Sequence, residues 1–496
     1  MKMAKNKKMW KKAIGVFLGI PLLLFIIITL VITFKKDAIV QELLATANQD
    51  FKGKIALSGT TISPFENFPY ISIDLKDFQV FETKELNEKP IINLKDVYVG
   101  FDLWTIIRGK FDIKTIKLAN GKINITQYQD NTFNLLKAFE PVKEVEDLEE
   151  EFHIDLQKIK IKNVDILKTN LADTLTLEAF IDKAETRFKK DETYIKMGLD
   201  ATFVFNIIKD KDTSFVKNKH FDVATDFSFH KETHVLDFEP STVKLENGLF
   251  GMEGSIDIDD DFNMDLEFSG KKPNFDLLIA FAPEDLIPTL EKYDNQGEIF
   301  FSTTIKGKSS NGNLPAVEAK FGCKNGFFDN TITHKKLDEM AFSAYFTNGE
   351  KRNLETTAFY LTDFTAKPEA GRFKGNLKVI NFVSPDIDLK LDSDFDLEFL
   401  SKFFNLTDLS NLTGNVQLTM NFHDIIDLAQ PEKSLEKFNQ AYFSELLVTN
   451  LNFKSDSYHL PVKNLNLKAT MDGNDFKMEY CRLQLGKSNL ELNGKI

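Results

Sequence analysis

Two histidines of this sequence, His230 and His234, stand four residues apart, which is the spacing of two zinc ligands on one turn of a helix. The segment around them, DFSFHKETHVLDF, alternates apolar and polar residues on both sides of a polar stretch. This pattern indicates strand, turn and strand. The HExxH motif of zinc hydrolases is also absent, so we expect no metal site here.

Four aspartates, Asp257 and Asp259–Asp261, resemble the start of a calcium-binding loop. Such a loop needs glycine at its sixth position and glutamate at its twelfth. This sequence has Phe262 and Phe268 at those two positions. The aspartates are therefore predicted to form a surface turn without a bound ion.

Motifs for covalent or phosphate chemistry are missing from the sequence. There is no glycine-rich phosphate loop, no GxSxG motif and no Cys/His pair of the nucleophile type. The two cysteines, Cys323 and Cys481, are too few for a disulfide framework or a cysteine metal site, although the sequence leaves open whether they pair. We expect neither an enzyme nor a cofactor.

A β-rich unit of about 120 residues recurs along the chain. This period is longer than that of the common short repeat proteins, but the same principle applies, in which each unit packs on the next. Gly254 corresponds to Gly375, and both follow similar runs of residues. Within the units, apolar and polar residues alternate in Phe262–Phe268, Ile387–Leu391 and Val416–Phe422. Alternation with a period of two predicts antiparallel strands with one apolar face and one solvated face.

Composition and charge exclude some classes of partner. The chain has 496 residues, 42% of them hydrophobic, and 47 are phenylalanine, about twice the usual share. Its net charge is −13, although residues 1–12 hold six lysines and no acid. Because the rest of the chain is strongly acidic, we expect no nucleic-acid partner.

Residues 13–34 contain no charged side chain, and a helix of that length spans the roughly 30 Å of a bilayer interior. Lysines crowd the N-terminal side and only Lys35 and Lys36 follow, which predicts a single-pass anchor with a cytoplasmic N-terminus. The alternative is a cleaved signal peptide. Its only small-residue cleavage pattern, Ala45–Ala47, lies beyond both lysines, so we favour the anchor.

Strands follow closely in the N-terminal region. Ile71–Leu75 and Val97–Leu103 alternate, and Ile113–Leu118 and Lys122–Thr126 flank Asn120–Gly121. Asn-Gly between alternating runs predicts a hairpin turn.

Predicted helices are few and short. Residues 37–50 are predicted to form a helix, because their apolar residues make one stripe and Asp37 can cap the N-terminus. We expect this helix to pack on the first strands or to plug the membrane-proximal end of the sheet. Three further helices are predicted at Asn274–Phe281, Glu284–Tyr293 and Phe395–Phe404, roughly one for each repeat.

Six stretches of the N-terminal region carry a family resemblance, namely Leu75–Val80, Val97–Leu103, Gly109, Ile116–Leu118, Gly121–Ile125 and Asn134. With the order of membrane helix, short helix and strands, they resemble the N-terminal region of the AsmA family of bacterial envelope proteins, and the later repeats resemble the C-terminal portion of that family. The resemblance implies a long twisted sheet curled into a groove, related to bridge-like lipid-transfer proteins. It also implies a bacterial inner-membrane protein with a periplasmic body, which acts in phospholipid transport and outer-membrane biogenesis.

The function depends on what covers the apolar face of the predicted sheet. A second sheet would make these side chains ordinary sandwich core, whereas an uncovered face of this size needs lipid tails or a curled edge to exclude water. Few helices and an excess of phenylalanine favour lipid. The residues predicted to line a lipid groove are Phe262, Met264, Leu266, Phe268, Ile299, Phe301, Ile305, Ile387, Leu389, Leu391, Val416, Leu418, Met420 and Phe422.

We therefore interpret the sequence as a mainly β, inner-membrane-anchored periplasmic protein that holds phospholipid or other acyl-lipid tails in a β-groove. The inner membrane, through residues 13–34, and an outer-membrane or envelope protein are the further expected partners. One alternative is a periplasmic scaffold that binds protein clients by β-strand addition. Another is an envelope hydrolase, which the missing nucleophile motif disfavours.

The predicted organisation has eight segments. They are a basic tail (1–12), the membrane helix (13–34), an N-terminal β region with a capping helix at 37–50 (35–139), an acidic linker (140–151), a middle β region (152–235), two β repeats (236–352 and 353–475) and the start of a third repeat (476–496), after which we expect the natural chain to continue.

Overall fold

The computed structural model describes residue 37 and most of the chain from residue 40 to residue 495. The gaps are 42–43, 68–69, 86–88, 103–104, 106–107, 109–111, 131, 143–153, 172–174, 210–211, 214–215, 283, 311–312, 407–408, 426–442, 456–459 and 473–474. The fold is mainly β, with 69% strand and 9% helix, which confirms the mainly β, largely antiparallel part of the predicted fold class. The chain divides into two compact units, and the boundary lies between Lys231 and Glu232.

The described residues of the first unit include ten strands and, after the fifth of them, a short helix. The strands are β1 (Lys54–Ala56), β2 (Gly59–Asn67), β3 (Tyr70–Phe81), β4 (Ile92–Phe101), β5 (Ile113–Gln127), β6 (Ile154–Asn170), β7 (Leu175–Lys190), β8 (Tyr194–Lys209), β9 (Asp212–Thr213) and β10 (Lys219–His230), and the helix is α1 (Asn134–Ala138).

These strands form one sheet in nearly sequential order. β1 and β2 pair with opposite ends of β3, and β4, β5, β6, β7, β8 and β10 follow in turn. Each of these pairings is antiparallel except that of β5 with β6, which is parallel.

The core of the first unit lies around β3 and β4. Val40 packs with Ile71, Ile73 and Phe101 in one buried cluster, and residues 44–50 are helical. The N-terminal helical segment therefore contacts the first strands. The predicted membrane helix (13–34), the basic tail (1–12) and most of the predicted acidic linker (140–151) lie outside the described residues. Among the residues that are described, no helix is long and apolar enough to cross a bilayer.

The predicted hairpin at Asn120–Gly121 is wrong, because β5 runs through both residues without a turn. The pairing with β4 keeps one register across them, since Ala119 pairs with Asp96 and Gly121 with Leu94. Asn120 adopts a left-handed φ of 58° inside this continuous strand. Asparagine tolerates that conformation better than most residues, so the Asn-Gly pair here accommodates a local backbone irregularity and not a chain reversal.

Gly121→Ala is expected to destabilise the first unit by about 2–3 kcal/mol, because added volume in a tight contact forces the backbone to move. A Cβ at Gly121 would lie 2.1 Å from the carbonyl oxygen of Asn93. Gly59→Ala is the matched control, since a Cβ there meets nothing within 4 Å. Chemical denaturation of the two variants checks the difference, and equal stability would contradict it.

The described residues of the second unit form fourteen strands. They are β11 (Val235–Leu245), β12 (Gly248–Asp257), β13 (Asn263–Gly270), β14 (Tyr293–Gly307), β15 (Ala316–Asn330), β16 (Lys336–Thr347), β17 (Ala358–Lys367), β18 (Gly371–Ile380), β19 (Asp386–Asp396), β20 (Leu409–Ile425), β21 (Phe443–Ser455), β22 (Val462–Asp472), β23 (Asp475–Leu485) and β24 (Ser488–Lys495).

Each of these strands pairs antiparallel with the next one in the sequence, from β11 to β24. The second unit is therefore a meander, and its connections alternate between the two margins of the sheet. Gly254, Gly375 and Gly494 fall in β12, β18 and β24, so the sequence repeat is a block of six strands.

Short helices interrupt the meander at one margin. They are α2 (Asp276–Ile279), the 3-10 turn Glu284–Leu286 with α3 (Ile287–Leu290), and α4 (Leu397–Phe403). All three predicted helices of this region are present in shortened form. Asp396 caps α4 by accepting a hydrogen bond from the Phe399 amide, which is the usual role of an N-cap aspartate.

Candidate functional site

One face of the second unit is apolar from strand to strand. Residues paired across an antiparallel ladder point to the same side, as do residues two apart in one strand. The pairings between β14 and β19 place a single row of six side chains on that side, namely Phe301, Phe321, Ala344, Leu361, Leu377 and Leu389. We call the side that carries this row the apolar face.

Twelve of the fourteen predicted groove residues lie on the apolar face. Phe422 pairs with Leu389 through the backbone, and its side chain lies outside the described ones. Phe262 precedes β13 in a turn, with a positive φ and 46% of its surface exposed. The twelve are Met264, Leu266, Phe268, Ile299, Phe301, Ile305, Ile387, Leu389, Leu391, Val416, Leu418 and Met420.

Burial along the apolar face changes from one margin to the other. At the margin with the helices, Phe250, Leu277, Ile299 and Cys323 are all less than 5% exposed. We call this the helix margin. Toward the opposite margin, side chains of the same face are only half-buried, among them Ile256, Met264, Ile305, Val317, Phe359, Val379 and Ile387. A face covered by an opposing sheet would be buried along its whole width.

A line of phenylalanine rings crosses the apolar face. The Phe250 and Phe301 ring centroids are 5.1 Å apart, those of Phe301 and Phe321 are 6.3 Å apart, and those of Phe321 and Phe359 are 6.4 Å apart. Such spacings are typical of favourable ring pairs. Part of the excess of phenylalanine in the sequence therefore lies on the apolar face.

Thr303 interrupts the apolar face, between Phe268 and Ala319 in the cross-strand register. Its hydroxyl oxygen is buried and has no hydrogen-bond partner in the described part of the chain. A buried hydroxyl without a hydrogen-bond partner lowers the free energy of unfolding by about 1–3 kcal/mol.

The other face of the second unit is polar and carries cross-strand ion pairs. Lys306 lies 2.9 Å from Asp265, and Arg372 lies 3.2 Å from Asp392. The hydrogen bond from Lys306 to Asp265 raises the pKa of this lysine. The sheet is therefore amphipathic, with solvent on one face.

The first unit has a similar apolar side on β8 and β10. Phe203 is paired with Phe221 across these strands, and their rings stack with centroids 5.1 Å apart and an angle of 8°. Phe221 and Val223 are half-buried, whereas Asp222 and Ala224 are exposed. This alternation matches that of the second unit.

The histidines and cysteines that the structure describes are not grouped into a chemical site. His234 lies in the turn before β11 and contacts Asp259 at 2.6 Å, whereas His230 ends β10 and packs edge-on against Tyr194. No group of metal-ligating side chains occurs within the described ranges. Cys323 and Cys481 are both free, and burial raises the pKa of Cys323 to about 11.

A buried charged cluster in the first unit was not anticipated from the sequence. Lys76 contacts both Asp74 and Asp96, the latter at 2.5 Å. The Asp74 side chain is only 2% exposed, and burial raises its pKa. The alternation of β3 around these residues is that of an ordinary solvated strand face, so no local signal marks this cluster.

Comparisons with known proteins identify no relative of this chain. The chain matches no protein-family model, no curated protein and no solved structure.

Proposed function

We propose that this chain binds the acyl chains of phospholipid or of another lipid on the apolar face of its second unit. The observation that carries the proposal is the half-burial of that face away from the helix margin. Half-buried leucine, isoleucine and phenylalanine side chains on consecutive strands need a hydrophobic neighbour, since soluble proteins rarely expose apolar patches beyond a few hundred Å².

Hydrocarbon is a suitable neighbour for this surface. Each CH₂ group removed from water contributes about 0.8 kcal/mol, so a C16 chain gains roughly 10 kcal/mol before ordering costs. Because rows such as Phe301 to Leu389 continue from strand to strand, this gain stays similar along the sheet. A lipid tail can then move from strand to strand without being held in one deep free-energy minimum.

The resemblance of the sequence to the AsmA family extends the proposal to lipid transport. On this proposal, residues 13–34 anchor the chain in the bacterial inner membrane, and the sheet curls into a periplasmic groove that serves outer-membrane biogenesis. The polar face, with pairs such as Lys306–Asp265, meets the aqueous periplasm. The headgroup remains at the margin of the groove.

Site-specific photocrosslinking tests the proposal. A photoreactive amino acid at Leu377 on the apolar face is expected to give lipid adducts in cells. The same photoreactive amino acid in place of Asn376, which is the neighbour of Leu377 on the exposed polar face, is expected to give no lipid adducts. Mass spectrometry identifies the adducts. Equal labelling at both positions, or a peptide instead of a lipid at Leu377, would overturn lipid binding, and a peptide would favour a protein-client scaffold.

A further inference from the structure

Four turns at the margin opposite the helices are joined into one continuous border. Among the described residues they are 258–262, 308–310 with 313–315, 348–357 and 381–385, in the connections from β12 to β13, β14 to β15, β16 to β17 and β18 to β19. We call this border the turn margin. The Ser309 and Ser310 amides donate to the Asp261 carbonyl oxygen at 3.0 and 3.2 Å, which joins the first turn to the second.

The remaining turns of the margin are joined in the same way. Arg352 donates to the Leu314 carbonyl oxygen at 2.7 Å, and the Phe382 amide donates to the Leu354 carbonyl oxygen at 2.7 Å. Each turn is thus held by its neighbour as well as by its own strands. The side chains at the turn tips are presented by a fixed backbone.

Every turn of the margin exposes one large apolar side chain. These are Phe262, Leu314, Leu354 and Val383, with 46%, 54%, 52% and 52% of their surface exposed. Successive turns are two strands apart, which is about 10 Å at the usual strand spacing. The four side chains therefore form a row of separate tips and not one contiguous patch.

We propose that the turn margin docks on the surface of a zwitterionic phospholipid bilayer, with the four tips inserted among the lipid headgroups. The proposal rests on the proposed function, because it makes the turn margin the place where lipid tails enter the apolar face. That face is half-buried toward the turn margin and closed at the helix margin by residues such as Leu277. Separate tips can each enter a fluid interface, whereas a protein partner would need a contiguous surface to cover.

The charges of the turn margin argue for a neutral membrane surface. The four turns contain five acidic and three basic residues. Lys308 is engaged by Asp260 at 2.5 Å, and Arg352 donates to a backbone carbonyl. An excess of acid with engaged bases gives no attraction to anionic lipid. The same excess disfavours a second copy docked margin to margin.

Depth-dependent fluorescence quenching tests the docking. The variant Leu354→Trp is made in the full chain, with Trp10 and Trp104 replaced by phenylalanine so that the new tryptophan is the only one. It is then mixed with phosphatidylcholine vesicles whose acyl chains are brominated. We expect a several-fold larger loss of fluorescence than for Leu286→Trp at the helix margin, a matched control because Leu286 is 51% exposed. Equal quenching of the two, or none, overturns the docking, as does quenching that requires phosphatidylglycerol.

A second variant separates failure of the docking from failure of lipid binding. Phe262, Leu314, Leu354 and Val383 are all changed to serine, and photocrosslinking at Leu377 is repeated in this background. The matched control changes four exposed residues of the connections at the helix margin to serine, namely Leu286, Ile332, Leu406 and Leu460. Strongly reduced lipid adducts in the turn-margin variant, with unchanged adducts in this control, support entry at the turn margin. Full adducts in both backgrounds keep lipid binding but overturn entry at this margin. No adducts even in the otherwise unchanged chain overturn the proposed function itself.

Discussion

Leu389→Asp combined with Leu418→Asp is expected to abolish lipid capture while the sheet stays folded. Both side chains lie on the apolar face and are half-buried, so a carboxylate at either site points toward the position that we propose for the acyl chain. An ionised carboxylate placed against hydrocarbon without a partner is strongly unfavourable. Lipid extraction with mass spectrometry measures the loss, and circular dichroism measures the strand content.

The matched control places two carboxylates on the other face of the sheet. Asn376 and Asn421 both pair with Lys390 in the register, so Asn376→Asp with Asn421→Asp adds the same charge next to a cation. This control is expected to retain both lipid and fold. If the Leu389/Leu418 variant unfolds while the control stays native, the apolar face is sealed protein core and the lipid proposal fails. Leu266 is less suited to this test because it is only 9% exposed.

Local alternation was enough to predict the apolar face. A period of two assigns every second residue of a strand to one side, and Ile387, Leu389 and Leu391 do lie together on the apolar face. The repeat in the sequence likewise corresponds to the block of six strands. Phe262 departs from the pattern because Asp261 and Phe262 both have positive φ, which interrupts the regular pleat before β13.

Features that depend on several segments were not predictable from one segment. Asn120–Gly121 carries the signal of a hairpin, and only the unbroken pairing of β5 with β4 on both sides of it reveals a continuous strand. The turn margin is joined by contacts such as Arg352 to Leu314, which are 38 residues apart in sequence. Alternation says nothing about which turns meet, and therefore nothing about the row of exposed tips.

The buried cluster of Asp74, Lys76 and Asp96 is a further product of tertiary structure. Asp74 and Asp96 are 1% and 6% exposed, and Lys76 is the cation that contacts both of them. The Oδ1 atom of Asp74 has no hydrogen-bond partner in the described residues. A carboxylate in such a place is tolerated because of the nearby ammonium group, and removal of that group leaves uncompensated buried charge.

Lys76→Met is expected to lower the unfolding free energy of the first unit by about 3 kcal/mol at neutral pH, near the lower end for a broken buried pair because Lys76 reaches solvent. A control variant, Lys306→Met, breaks a pair that is exposed on both sides and is expected to have no measurable effect. Hydrogen exchange of the β3 and β4 amides, alongside chemical denaturation, measures the change in the first unit. Equal protection in Lys76→Met and the unchanged chain would contradict the assignment of a buried cluster.

The pH dependence of stability gives a second readout, since both Asp74 and Lys76 have raised pKa values and both therefore lower the stability as the pH rises. Burial raises the pKa of Asp74 above its usual 3.8, so its ionisation opposes folding, and stability is regained as the pH falls through that raised value. Hydrogen bonds to Asp74 and Asp96 raise the pKa of Lys76 above its usual 10.5, so its contribution is complete below that pH and is lost as the pH rises further. Lys76→Met is therefore expected to recover stability on acidification and to lack the alkaline loss of the unchanged chain.

A double variant identifies the carboxylate that Lys76 stabilises. Asp74→Asn with Lys76→Met is expected to be less destabilised at neutral pH than Lys76→Met alone, because one of the two unpaired carboxylates is gone. For the same reason it is expected to recover less stability on acidification, since the Asp74 carboxylate with its raised pKa is no longer present to be protonated. Chemical denaturation across the acidic range measures both profiles. Identical pH profiles for the single and double variants would show that the buried carboxylate of Asp74 is not the group that Lys76 stabilises.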